Sequence, residues 1–178
     1  MLQDIERILI ARGAISDKVR SIAEQITRDM GEKDKDTEIV LVAVMTGSII
    51  FVADLMRNLP MKIRIQLMTA RSYVGKSTMS TQDPVVGALP EVTGKHVLLV
   101  DDILDSGKTL TRIRNELETL EPKSIDTCVL LRKKLPTAMA VPCTYVGFDI
   151  EDEFVVGYGL DYDDYYRNFP DICVIDPK

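Results

Sequence analysis

The residues Ile39-Val-Leu-Val-Ala-Val44 form an unbroken aliphatic run in which β-branched side chains dominate. A run with no alternating polar residue predicts a strand buried on both faces, and such strands belong to parallel sheets covered by helices on each side. His96–Val100 repeats the pattern, and Ile63–Met68 and Ile125–Leu131 supply two further strands. Helical spacings lie between them. Ser48–Asn58 puts Ile49, Val52, Ala53 and Met56 on one face, and Lys108–Leu120 does the same with Leu110, Ile113, Leu117 and Leu120. This alternation predicts an α/β fold with a mostly parallel central sheet and flanking helices. Shorter strands at Tyr145–Phe148, Phe154–Tyr158 and Ile172–Ile175 are expected to form a small subdomain.

Ahead of this alternation, Ile5, Ile8 and Leu9 share a face and suggest a short helix from Asp4 to Arg12, ended by Gly13. A second helix is expected from an N-cap at Ser16 through Met30, with Gly31 at its C-terminal cap. Glu32–Glu38 is a charge run and reads as a solvated loop. A length of 178 residues suits one domain with a substantial core. The net charge of −6 argues against non-specific binding to nucleic acid or to an anionic membrane. A membrane span needs roughly 20 mostly apolar residues, and Thr46-Gly47-Ser48 interrupts the only long apolar region. The first residues lack the basic-then-apolar order of a secretory signal. The one histidine, His96, excludes multi-histidine metal sites, and Cys128, Cys143 and Cys173 form no CxxC pair. A cytoplasmic protein with buried thiols is expected.

The 27 residues from Thr69 to Lys95 show neither helical nor strand periodicity. Connections longer than about 12–15 residues are usually functional lids or disorder. Arg71–Thr81 is rich in hydroxyls and carries two cations without an acid. It suits a flap closing over anionic groups, and an excursion without a chemical role fits the composition equally well.

The segment Val97-Leu-Leu-Val-Asp-Asp-Ile-Leu-Asp-Ser-Gly-Lys-Thr-Leu110 carries the strongest chemical signal. An apolar strand runs into Asp101 and Asp102, and Asp105-Ser106-Gly107-Lys108-Thr109 opens a helix. Ligands of open α/β sheets bind beyond the carboxyl ends of the strands. A helix start there offers unpaired N–H groups and the positive end of a dipole, so the turn reads as a phosphate cradle. Acids beside a phosphate call for a cation, and Mg²⁺ held by one or two carboxylates, waters and ligand oxygens meets that need. The bland alternative makes Asp105 a plain N-cap and the acid pair a solvated strand end. A Walker A loop is excluded because Asp102 stands where its first glycine belongs.

This segment resembles the phosphoribosyl-pyrophosphate motif of type I phosphoribosyltransferases: apolar strand, two acids, two apolar residues, then Asp-[Ser/Thr]-Gly-Lys-Thr. Later segments are similar, in order, to the hypoxanthine–guanine branch of that family. Ser72-Tyr73 lies where the family has its flap, and Val146–Tyr162, continuing to Tyr166-Arg-Asn168, resembles its purine-binding hood. The resemblance runs from about Ile39 to Ile175. It implies a type I phosphoribosyltransferase-like fold in a single domain over 1–178, with a core at about 39–135, a hood from the N- and C-terminal segments and a flap at about 70–95.

The resemblance also implies a purine-salvage reaction. A 6-oxopurine (hypoxanthine, guanine or both) displaces pyrophosphate from C1′ of phosphoribosyl pyrophosphate and gives a purine nucleoside monophosphate, IMP or GMP. By position, Asp105 is implied as the catalytic proton acceptor toward purine N7, and Asp101, Asp102, Asp105, Ser106, Gly107, Lys108 and Thr109 as the phosphate and ribose site. Asp101, Asp102 and Asp161 are the implied Mg²⁺-associated acids, and Thr46, Gly47, Ser48 and Arg167 the pyrophosphate contacts. Lys133 would donate to O6, Phe154 stack on the ring, Val155 bond through its backbone and Asp161 complete the purine side. Homodimers or homotetramers are implied, with no nucleic-acid or membrane partner.

One departure stands out. The family's first loop usually carries a lysine after a non-proline cis peptide, and here the loop is Met45-Thr46-Gly47-Ser48. Weaker pyrophosphate binding is expected from the missing charge. Two rivals differ in function: a xanthine-preferring transferase, and a non-catalytic phosphoribosyl-pyrophosphate sensor that binds RNA. The acidic net charge disfavours the second.

Overall fold

Two sheets organise the chain in the computed structural model, which describes residues 5–32, 38–69 and 90–175. The main sheet consists of β2 (Ile39–Met45), β3 (Ile63–Thr69), β4 (His96–Leu104), β5 (Ser124–Lys133) and β6 (Tyr145–Ile150), all parallel, in the order β3-β2-β4-β5-β6. The aliphatic runs occupy its middle, where Val40–Ala43 and Val97–Val100 are wholly shielded from solvent. Alternate side chains of these strands feed opposite cores. Leu41, Ala43, Leu98 and Val100 pack with α1 (Arg12–Glu32) and α2 (Ile49–Arg57). Val40, Val42, Val97 and Leu99 pack with Leu110, Ile113 and Leu117 of α3 (Lys108–Glu118). Each fully buried Leu, Ile or Phe adds about 1.5–3 kcal/mol, so the doubly covered centre is the anchor of the fold. Parallel crossovers bring the carboxyl ends of β2, β4 and β5 to one edge, where a ligand site is expected.

The second sheet is antiparallel, ordered β1-β8-β7, and joins β1 (Ile5–Ile10) to β7 (Val155–Val156) and β8 (Ile172–Ile175). Here the structure corrects the sequence reading. Asp4–Arg12 was expected to hold a short helix, but Ile5–Ile10 is a strand. Its pairing with β8 shifts register between Ile5 and Arg7 and again between Ile8 and Ile10, which breaks the two-residue alternation and mimics helical spacing. Beyond it, α1 begins at Arg12, ahead of the expected N-cap at Ser16, and carries both Gly13 and Gly31 within it. The Asp171 carboxylate accepts hydrogen bonds from the Arg12 backbone N (2.7 Å), Nε (3.2 Å) and Nη2 (3.1 Å) and so fixes the helix start against the residue before β8. That backbone N–H and the guanidinium hold Asp171 below the usual carboxylate range.

The main sheet also extends past the expected core boundary near 135. β6 pairs with β5 up to Lys133 and Ile150. The α1 helix, expected with the hood, shares its core with this sheet. A four-residue helix, α4 (Pro136–Met139), lies between β5 and β6. Among the described residues, no helix is long and apolar enough to cross a membrane.

Candidate active site

The β4 strand runs beyond the expected Val100 to Leu104, so Asp101 and Asp102 sit within its last turn of pleat, at the carboxyl edge. Residues 105–107 then turn the chain into α3. Gly107 occupies the N-cap position with φ +79°, in the left-handed region, and a Cβ there would stand 2.4 Å from Val141 Cγ2. Both facts call for glycine. No side chain caps α3, so Asp105 is not its N-cap and the first-turn N–H groups stay open to a ligand. They border a cleft of about 410 Å³ whose lining includes Thr46, Gly47, Asp101, Asp102, Asp105, Ser106, Gly107, Thr109, Asp161 and Arg167. Lys108 is exposed and lies outside that lining.

The acid pair is partly pre-paid by backbone hydrogen bonds. Asp101 Oδ1 accepts from Asp102 N at 3.0 Å, and Asp102 Oδ1 accepts from Ile103 N at 2.8 Å. Burial pushes the Asp101 carboxyl well above its usual range, and the neighbouring Asp102 charge adds to the shift. Burial also raises Asp102, although hydrogen bonds from Asp101 and the Ile103 N–H and the Arg167 charge counter it. Two buried carboxyls that favour protons form a site that a divalent cation would relieve.

Loop 45–48 closes the next wall. The Met45–Thr46 peptide is cis. A Cβ on Gly47 would meet Asp102 Oδ2 at 1.8 Å, so the loop backbone lies directly against the Asp102 carboxylate. Ser48 departs from its expected role. Its side chain is wholly buried and its hydroxyl donates to the Val44 carbonyl, because a shielded hydroxyl at a helix start must find a partner. Only its backbone remains for a ligand.

The segment after β7 is pressed onto this loop. Gly159 has φ +105°, and a Cβ there would lie 2.1 Å from the Gly47 carbonyl oxygen. The Tyr158 hydroxyl donates to Asp54 Oδ2 of α2 at 2.6 Å, and Gly159 N donates to the Arg167 carbonyl at 2.9 Å. Arg167 Nη1 in turn donates to the Gly159 carbonyl at 2.8 Å, while Nη2 pairs with Asp161 (2.8 Å) and Asp164 (3.1 Å). Arg167 and Asp161 are thereby fixed over the cleft.

Lys133, Phe154 and Val155 lie outside the cleft lining, and Lys133 is joined to it through Asp105. Lys133 Nζ is 3.3 Å from Asp105 Oδ1 and 2.9 Å from Asp152 Oδ1. Phe154 is no core aromatic: it is 40% exposed and meets Tyr162 edge-on, with centroids 5.5 Å apart. Ile175 N donates to the Phe154 carbonyl, which makes Val155–Val174 the non-hydrogen-bonded pair of the β7–β8 ladder. The Val155 N–H and C=O therefore face the open edge of the small sheet, on which β7 is the last strand. Ser72 and Tyr73 lie outside the described residues.

Among the described residues no three acidic, histidine or cysteine side chains converge as a metal cluster. Asp161 is engaged by Arg167, and the close pair is Asp101–Asp102. This donor set fits Mg²⁺, which commonly takes one or two protein carboxylates and completes its shell with waters and substrate oxygens. Sequence reasoning missed Asp152, Tyr158, Asp54 and Val141. Only Asp152 left a signal, since Arg132-Lys-Lys134 faces Asp149-Ile-Glu-Asp152 on the neighbouring strand.

The chain matches the phosphoribosyl transferase domain family over residues 8–163. It is 42% identical to the hypoxanthine phosphoribosyltransferase of Salmonella typhimurium over 165 residues, which covers 92% of this chain and 91% of that one. Against the hypoxanthine-guanine phosphoribosyltransferase of Mycobacterium bovis the identity is 38%, covering 98% and 88%. The crystal structure of a hypoxanthine-guanine phosphoribosyltransferase from Bacillus anthracis superposes with a TM-score of 0.84 at 36% identity, covering 97% and 99%.

Proposed function

Because the chain belongs to the phosphoribosyltransferase family, in its hypoxanthine–guanine branch, we propose that its cleft seats phosphoribosyl pyrophosphate with the 5′-phosphate on residues 106–109. The protein is a purine-salvage glycosyltransferase that joins a 6-oxopurine to phosphoribosyl pyrophosphate and releases pyrophosphate. The observation that carries the seating is the uncapped start of α3 behind a left-handed Gly107. The Ser106 and Thr109 hydroxyls add donors to its N–H groups.

Breaking the bond at C1′ leaves positive charge on the ribose and negative charge on pyrophosphate. Asp101 and Asp102 stand on the ribose side and tolerate the former. Arg167 and the backbone of Thr46, Gly47 and Ser48 meet the latter. Asp101 and Asp102, with Asp161 on the same cleft, would hold Mg²⁺, which would supply neutralisation of the charge that develops on pyrophosphate. Asp105 accepts the proton of purine N7 and Lys133 donates to O6. Phe154 stacks on the ring, and the outward N–H and C=O of Val155 bond to the purine edge. We assign the protein to the cytoplasm as a homodimer or homotetramer. The transferase names of the relatives described above favour catalysis over a sensor role.

The test is one assay with phosphoribosyl pyrophosphate, Mg²⁺ and hypoxanthine, guanine or xanthine, repeated with Asp105→Asn. Turnover of hypoxanthine or guanine with a large loss in kcat for the variant supports the reading. No turnover of any base overturns it, and preferential use of xanthine would replace it with the xanthine-type reading.

A further inference from the structure

We propose that Asp152 is a positioning residue for base recognition: it keeps the Lys133 ammonium in place when the incoming purine takes Asp105. The proposal rests on the assignment of Asp105 and Lys133 to the purine edge. Lys133 ends β5 and is only 9% exposed, so its ammonium needs anionic partners nearby. It has two, Asp105 Oδ1 at 3.3 Å from the turn after β4 and Asp152 Oδ1 at 2.9 Å from the stretch after β6. Burial alone would lower the ammonium's pKa, and these two carboxylates outweigh burial and hold it above the ordinary lysine value.

The placement of Asp152 follows from strand register. Arg132 pairs with Asp149 across β5 and β6, and Lys133 with Ile150. Arg132 Nε reaches Asp149 at 2.7 Å and Lys134 Nζ reaches Glu151 at 2.7 Å. Glu153 is taken by Arg7 of β1 at 2.6 Å. Each acid from 149 to 153 therefore has its own cation, and Asp152 alone among them holds the cation that also faces Asp105. Neighbouring carboxylates cannot substitute for it without leaving partners of their own.

The N7–C6 edge of a 6-oxopurine offers an N7–H donor beside an O6 acceptor. An acceptor (Asp105) and a donor (Lys133) 3.3 Å apart match that pair in order and spacing. Before the base arrives, the two groups satisfy each other. Once N7–H donates to Asp105, the ammonium must turn from that carboxylate to O6. Asp152 is the anion that stays, so Lys133 pivots about a fixed partner. Without it, the base competes with the only ion pair a buried ammonium has.

The experiment compares Asp152→Asn and Asp152→Glu with the wild-type enzyme in steady-state kinetics and thermal melts. Asp152→Asn is expected to raise KM for hypoxanthine about tenfold, the effect of losing one charged partner. It should leave KM for phosphoribosyl pyrophosphate within about twofold, and Asp152→Glu should recover most of the loss. An unchanged KM for hypoxanthine, or a parallel rise in both KM values with a lowered Tm, overturns the proposal. Absence of turnover by the wild-type protein overturns the assigned function and this proposal with it.

Discussion

Replacing Gly107 by alanine perturbs the proposed phosphate cradle at its hinge. The residue sits at φ +79°, where a Cβ crowds its own carbonyl at a cost of about 1–2 kcal/mol. The same Cβ would also stand 2.4 Å from Val141 Cγ2. Relieving that contact by moving Val141 costs about 1–3 kcal/mol, as overpacking does elsewhere. For a chain of this size, each kcal/mol lowers Tm by roughly 2–4 °C. Gly107→Ala should therefore melt about 4–20 °C lower by calorimetry. It should also bind purine nucleoside monophosphate at least tenfold more weakly in a titration, because the turn can no longer present its N–H groups together. Combining it with Val141→Ala separates the contributions: in the Val141→Ala background, glycine-to-alanine should lose only the backbone part of the penalty. A Tm within about 2 °C of wild type, with unchanged nucleotide affinity, would refute the reasoning.

Three other perturbations probe the remaining walls of the site. The Asp101 carboxyl is raised by burial, so the folded state binds this proton more tightly than the unfolded one. Stability should fall as pH climbs from the unfolded carboxylate pKa toward the raised folded value. Asp101→Asn should melt higher than wild type at neutral pH with EDTA, with a flatter decline above about pH 4, while losing turnover; a lower neutral-pH Tm contradicts this. Thr46→Lys restores a cation beside pyrophosphate and should tighten pyrophosphate binding about tenfold, since hydrogen bonds to charged groups contribute about 1.5–3 kcal/mol; equal affinities in calorimetric titration would remove the argument. Tyr158→Phe deletes the hydroxyl that donates to Asp54, which should cost about 1.5–3 kcal/mol in urea unfolding and raise KM for phosphoribosyl pyrophosphate. An unaltered KM would free that bond of any role in seating the Gly47–Gly159 contact.

What could be read from the sequence was what lies close together along it. Ile39–Val44 and His96–Val100 announced a doubly covered sheet because burial on both faces removes polar alternation. Asp101 through Thr109 supply the proposed cradle from nine consecutive residues, so their spacing alone conveys the local geometry. The small sheet was harder to see. β1 pairs with β8 across most of the chain, and its register shifts disguised a strand as a helix. Ser48 shows a subtler limit, since its residue type suited a ligand contact and burial turned its hydroxyl to Val44 instead. Gly159 against Gly47, and Asp152 against Lys133, are contacts between elements whose proximity exists only after the sheet has assembled.

Substrate binding in this cleft depends on the start of α3 acting as an anion seat. A crystal structure of the protein with a purine nucleoside 5′-monophosphate measures that directly. Phosphate oxygens within about 3.2 Å of the backbone N–H groups of residues 106–109 are the predicted result. A nucleotide whose phosphate lies elsewhere, with those N–H groups bonded only to water, would contradict it.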